Sequence, residues 1–139
     1  MPETTVAAIV IGAGQKVLLT RRACPPFNGQ WCLPGGHIDP RESARDAIIR
    51  EVQEETDLVF EPAFFGYFDE IIPELDWHAV VLVFTGTGTG VPSGNNDEVT
   101  EIQWFSFDEA RSKQLAFTHA RVLDAYLSYR RAQQTQVLE

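Results

Sequence analysis

One segment that reads clearly as a helix carries acids on the side that should turn inward, and this restricts what the chain can be. Residues 43–56 have helical periodicity, with Ser43 as N-cap and Asp46 three residues on in the capping-box position. At about 100° per residue, Ala44, Ala47, Ile48 and Val52 share one face. Glu51 and Glu55 land in the middle of that apolar stripe, and Glu54 borders it. Burying unpaired carboxylates in a core costs several kcal/mol each, so stability alone does not select them. A solvated acidic face is the ordinary explanation for such a run. It fits poorly here, because the acids share the apolar side and acids four apart repel. A hard divalent cation supplies the compensating charge, and Mg²⁺ prefers oxygen ligands with room left for substrate phosphates. Arg50 stands beside the cluster and offsets part of the repulsion.

The segment before the helix, Leu33-Pro34-Gly35-Gly36-His37-Ile38-Asp39-Pro40-Arg41-Glu42, is a glycine-hinged loop ending in a further carboxylate. Paired glycines let backbone approach a ligand closely and leave carbonyls free to face a cation. A tight strand-to-helix turn explains the glycines equally well, but not Glu42. Residues 5–11 and 16–22 are β-rich runs joined by Gly12-Ala13-Gly14-Gln15 and are expected to form a hairpin. Further strands are expected at residues 31–33, 59–68, 77–85 and 101–105. The run at residues 77–85 is nearly continuously apolar and should be central. Residues 86–97 read as a glycine-rich loop, with no helix after it to make a phosphate cradle. Asp108 is expected to cap a helical turn. Residues 119–131 read as a helix with Val122, Leu123, Tyr126 and Leu127 inward, fraying from Gln133. Without a repeat, a linker or a regular βαβ alternation, the expectation is one domain, residues 1–139, of the α+β class with a mixed sheet.

Twenty acids against eleven bases give a net charge of −9, the wrong sign for nucleic acid or an anionic membrane, so neither is expected as a partner. The apolar run at residues 6–11 is too short for a membrane span and has no basic residues before it. Cys24 and Cys32 have no His/Cys cluster beside them, which suits two thiols in a reducing cytoplasm. A cytoplasmic location is expected.

Gly36, five residues, Glu42, seven residues, then Arg50-Glu51-Val52-Gln53-Glu54-Glu55-Thr56-Asp57-Leu58 resembles the signature of the Nudix hydrolases. The one departure is Asp57, where the family carries glycine. The resemblance implies the Nudix fold, an α/β/α sandwich around a mixed β-sheet. It also implies hydrolysis, with Mg²⁺ or Mn²⁺, of a nucleoside diphosphate linked to another moiety. Carried over position by position, it implies that Glu51, Glu54 and Glu55 ligate metal and that Arg50 orients them. Glu42 matches a further acid that assists through water or deprotonation, the Gly35 carbonyl matches a backbone ligand, and Glu98 matches a loop acid six residues before a Trp strand. Asp tolerates the left-handed conformation expected of the glycine, so Asp57 should cost stability and not chemistry.

Phe27, Trp31, Phe65 and Trp77 are candidates to stack on a nucleobase, and Arg22 or Arg21 to reach phosphates, although aromatics at strand positions are more often core. The stretch from Arg22 through Pro26-Phe27-Asn28-Gly29 to Gly36, with Pro73 beyond, resembles the ADP-ribose pyrophosphatases of the family, which slightly favours an ADP-ribose-like substrate. The alternatives are a (d)NTP pyrophosphohydrolase of the MutT house-cleaning type and, from another class, a non-catalytic Nudix-like metabolite sensor. A monomer or homodimer is expected.

Overall fold

The first strand is apolar on both faces, so it must be covered on both. In the computed structural model, which describes residues 1–94 and 97–138 (the last four by backbone alone), β1 (Glu3–Ile11) buries Val6, Ala8 and Val10 towards one cluster and Ala7 and Ile9 towards another. The chain continues through β2 (Val17–Arg22), β3 (Trp31–Cys32), β4 (Gly35–His37), α1 (Ala44–Thr56) and β5 (Val59–Ile72). It ends with β6 (Trp77–Thr89), β7 (Val99–Phe105), α2 (Phe107–Ser112) and α3 (His119–Leu138). The strand order is β3-β2-β1-β6-β5, with β4 pairing β1 and β7 pairing β2. β1 and β6 run parallel from Glu3↔Ala79 to Ile11↔Thr87, and the other pairings are antiparallel, which makes the sheet mixed. Ala47, Ile48 and Val52 of α1 close one face, and Val122, Leu123 and Tyr126 of α3 close the other. No helix among the described residues is long and apolar enough to cross a membrane.

The expected hairpin is reduced to one rung. β1 and β2 pair only at Ile11↔Val17 and then diverge, because β2 pairs with β7 from Val17↔Phe105 to Arg22↔Val99 while the vacated edge of β1 takes up β4 at residues 5–7. That divergence opens the site described below.

Other boundaries move too. β5 runs on to Ile72, and β6 runs through residues 86–89, so the first part of the expected glycine loop is strand. Gly88 is needed there because a Cβ would come within 2.5 Å of Val10 Cγ1. Asn95 and Asn96 of that loop lie outside the described residues. Ser106, not Asp108, caps α2, and its reciprocal bonds with Glu109 complete a capping box. Ser43 caps α1 as expected, accepting from the Asp46 N–H at 3.0 Å. The last helix continues through Leu138, past the residue where fraying is expected.

Asp57 ends α1 with φ 62° and ψ 11°, the left-handed conformation, and its N–H donates to the Gln53 carbonyl. An acid there also opposes the helix dipole. Asp57→Gly should therefore stabilise the protein by about 0.5–1 kcal/mol without changing turnover. Urea denaturation checks the first part; a destabilised variant would give Asp57 a role not accounted for.

Candidate active site

Where β1 and β2 part, a cleft of about 310 Å³ remains. Val6 and Ala7 of β1, the paired glycines of β4, Arg22 at the end of β2 and the Cys32-Leu33 segment border it. Gly35 and Gly36 are glycines for a steric reason. A Cβ on Gly35 would strike the Val6 carbonyl, and one on Gly36 would stand 2.6 Å from Glu51 Cδ. The backbone of β4 thus lies directly against the acidic helix.

Arg50 organises the acids. Its Nε and Nη2 donate to the two oxygens of Glu42 at 2.8 and 2.9 Å, a bidentate fork, and Nη1 donates to Glu51 at 2.9 Å and Glu54 at 3.3 Å. Nη2 also reaches the His37 carbonyl at 3.1 Å, tying the glycine loop to the helix. The Arg50 bonds, aided by the Asp39 N–H, hold the Glu42 carboxyl down at about 2. In return Glu42 keeps the guanidinium firmly protonated.

Glu55 has no such partner among those bonds. It is 6% exposed, and its Oε2 accepts the Gly35 N–H at 3.2 Å. Burial pushes its carboxyl well above the usual range; the nearby charges of Glu51 and Glu98 push it further, and Arg22 opposes them weakly. Glu51 is raised as well, chiefly by burial and against the pull of Arg50. The two carboxyls are therefore costly to ionise, and the protein compensates that cost incompletely.

The other end of the cleft is aromatic and polar. Trp77, Phe117, Glu70 and His119 line it, with Arg22 held over the Phe117 ring at 4.9 Å. Burial drives the Cys32 thiol up to about 11, so it stands there as a small neutral group.

The NUDIX domain model matches residues 1–126. The chain belongs to the Nudix hydrolase family. It is similar to an ADP-ribose pyrophosphatase of Methanocaldococcus jannaschii, 27% identical over 122 residues that span 87% of this chain and 71% of that one. A putative 8-oxo-dGTP diphosphatase of Bacillus subtilis is 48% identical over 48 residues, 34% of this chain and 30% of its own. Among solved structures, a MutT Nudix hydrolase of Burkholderia pseudomallei aligns with a TM-score of 0.82 at 27% identity, covering 89% of this chain and 97% of that one. The mixed sheet between helices is the fold they share.

Within this Nudix chain the residues singled out from sequence divide into groups. Glu55, Gly35 and Glu98 line the cleft, while Glu42, Glu51 and Glu54 gather on Arg50 beside it. Among the described residues, no three acidic, His or Cys side chains already converge as a metal cage. Arg22 and Trp77 line the cleft, and Phe27 packs edge-on against Phe117 at 5.0 Å. Trp31 does not line it. Its ring packs edge-on against Phe105 at 5.1 Å, as part of the core beneath α3. Phe65 joins the same core through Tyr126, and Arg21 turns to Glu101 at 2.9 Å on the surface. Sequence reasoning misses Glu70, Phe117 and His119 as parts of the site. Glu70 lies beyond the expected end of its strand at residue 68, so no local signal points to its burial.

Proposed function

We propose that this Nudix chain hydrolyses the diphosphate of a nucleoside diphosphate linked to another moiety, taking ADP-ribose-like compounds and using Mg²⁺ or Mn²⁺. The observation that carries the reading is the buried Glu55 carboxyl in the cleft, crowded by Glu51 and Glu98 and, among the described residues, without an ion-pair partner in hydrogen-bond contact. A hard cation fits that donor chemistry: all the groups are oxygens, and it would supply the buried Glu55 carboxyl with a positive charge in direct contact. Glu51, Glu54, Glu55, the Gly35 carbonyl and Glu98 would hold it. When bound, such an ion screens the polyanionic substrate and makes water a better nucleophile.

The rest is done by the chain. Arg50 holds Glu51 and Glu54 in register with the glycine loop, and Glu42 holds Arg50. Glu54, half out in solvent, is the carboxylate best able to take a proton from the attacking water. Arg22 receives phosphate oxygens, while Trp77 borders the space for the groups attached to them and Phe27 acts through the lining ring of Phe117 that it packs against. The second reading, a (d)NTP pyrophosphohydrolase, is favoured by the 48-residue match to the 8-oxo-dGTP diphosphatase and uses the same machinery.

A panel of ADP-ribose, nucleotide sugars and dNTPs with Mg²⁺ or Mn²⁺ in ¹⁸O-water tests both. Attack at phosphorus should convert ADP-ribose to AMP and ribose 5-phosphate with label in a phosphate of one product. Free adenine would sink the mechanism. Inert ADP-ribose together with a dNTP yielding monophosphate and pyrophosphate would move the assignment to the second reading.

A further inference from the structure

The connection from β2 to β3, residues 23–30, borders the cleft through Cys24, Pro25 and Pro26. Two successive arginines at the end of β2 hold it. Neighbouring strand residues point to opposite faces, so they hold it from opposite sides. Arg21 Nε donates to the Gly29 carbonyl at 2.8 Å, and Arg21 Nη1 is fixed to Glu101 at 2.9 Å on the surface. Arg22 Nε donates to the Pro26 carbonyl at 2.7 Å. Its Nη2 makes longer contacts with the Pro25 carbonyl at 3.4 Å and Cys24 Sγ at 3.5 Å. Among the described residues Arg22 Nη1 donates to nothing. Every fully enclosed side-chain nitrogen or oxygen there has a partner, so Nη1 is not enclosed. Arg21 is thus tied at both ends, while Arg22 holds the loop with one edge of its fork and keeps Nη1 for a ligand.

The tip of the loop is held lightly. Pro25, Pro26, Asn28 and Gly29 are exposed. Phe27 has a left-handed backbone, φ 64°, and its ring rests edge-on against Phe117 at 5.0 Å, itself left-handed at φ 54°. Bulky side chains rarely adopt this conformation, and such residues persist only where surrounding contacts enforce it. The Phe117 ring also lies against the Arg22 guanidinium, whose central carbon is 4.9 Å from the ring centroid. The latch and the strained tip therefore share one contact surface. A phosphate oxygen taken by Nη1 would fix the guanidinium plane, and a fixed plane holds the Pro26 carbonyl and the Phe117 ring in place.

We propose that residues 23–30 form a strap that a bound diphosphate locks through Arg22, one edge of the guanidinium holding the Pro26 carbonyl while Nη1 takes a phosphate oxygen. Arg21 is the fixed anchor and Arg22 the latch. The inference rests on the diphosphate reading above and deepens it. Coupling of this kind is reciprocal: if phosphate tightens the strap, a loosened strap must weaken the binding of phosphate.

α,β-Methylene-ADP, with CH₂ in place of the bridging oxygen, carries the diphosphate and resists hydrolysis at that bridge. Hydrogen exchange reads the strap at Gly29 and Gln30, whose N–H groups donate to the Arg22 carbonyl at 2.8 Å and the Phe27 carbonyl at 3.1 Å. With Mg²⁺ in both samples, saturating analogue should slow exchange at these two amides about tenfold, within the usual range of coupling between sites. Arg21→Ala should speed exchange without ligand and still show the slowing. Arg22→Lys keeps the charge and lacks the planar fork that reaches two acceptors together, so saturating analogue should leave its strap exchange unchanged. Pro25→Gly/Pro26→Gly loosens the strap, leaves both arginines, and should bind the analogue several-fold more weakly by calorimetry. An unresponsive strap in the wild type with analogue bound, slowing of the same size in Arg22→Lys, unchanged affinity in Pro25→Gly/Pro26→Gly, or no binding of the analogue would each overturn the proposal. The wild-type exchange and the proline variant need no change at Arg22, so a poorly folding Arg22→Lys does not remove the test. A strap locked by the analogue without hydrolysis of any panel compound would sink the functional reading and leave the latch standing; hydrolysis with an unresponsive strap would do the reverse.

Discussion

Glu54→Gln should lower kcat by about 10²–10⁴-fold, the range a general acid–base group contributes, while the protein folds and melts as the wild type does. The two effects separate because of where Glu54 sits. Its side chain is 53% exposed on α1, and its ion pair with Arg50, at 3.3 Å, is the longest of the three that Arg50 makes with glutamates. Exposed pairs of this kind contribute little to folding. Glutamine keeps the length and still offers Arg50 an oxygen, so Glu51 and Glu42 should stay in register. What is lost is a basic carboxylate that is able to move, next to carboxylates that are held. Single-turnover kinetics and a thermal melt on the same preparation check both halves. Turnover within tenfold of wild type would remove Glu54 from the chemistry and leave Glu51 or Glu55 to supply the base.

The acidic helix is legible in the sequence because its information is local. Helical geometry alone puts Glu55 on the side of Ala47, Ile48 and Val52, and all four are buried. Ser43 and the left-handed Asp57 mark its ends with chemistry visible in single residues. The cleft is not legible, for the opposite reason. Whether β2 stays beside β1 or leaves it for β7 depends on a pairing of Val17 with Phe105, which no window around either residue contains. β4 is hidden by its glycines, whose value lies in the approach of Val6 and Glu51 and not in strand propensity. His119 meets Leu33 across 86 positions and Glu70 meets Thr118 across 48, so the polar floor of the site exists only once the sheet is assembled. Trp31 shows the converse error: as an aromatic near a glycine loop it suggests a base contact, and its ring belongs to the core against Phe105.

Removing the buried charge of Glu55 should raise the stability of the metal-free protein and abolish its response to divalent ions. A glutamine side chain at this position would fill the same volume and still accept the Gly35 N–H, so Glu55→Gln changes little except the charge that Glu51 and Glu98 oppose. Relief of about 1–2 kcal/mol would lift the metal-free Tm by roughly 3–7 °C. The pH dependence has a definite sign. A carboxyl whose pKa is raised on folding binds its proton more tightly in the folded state, so the wild type loses stability as pH climbs from about 4.3, the ordinary glutamate value, towards neutrality. The advantage of Glu55→Gln over wild type should therefore be largest at neutral pH and shrink on acidification. With Mg²⁺ or Mn²⁺ added the order should reverse: the wild type gains about 2.7 kcal/mol at a hundredfold excess over Kd, and the variant gains far less. Differential scanning calorimetry of both proteins, with and without the ion, reads all three effects without any substrate. A lower Tm for metal-free Glu55→Gln at neutral pH, or equal shifts on adding the ion, would mean that Glu55 is a structural acid satisfied by its neighbours and that the cation, if one binds, is held elsewhere.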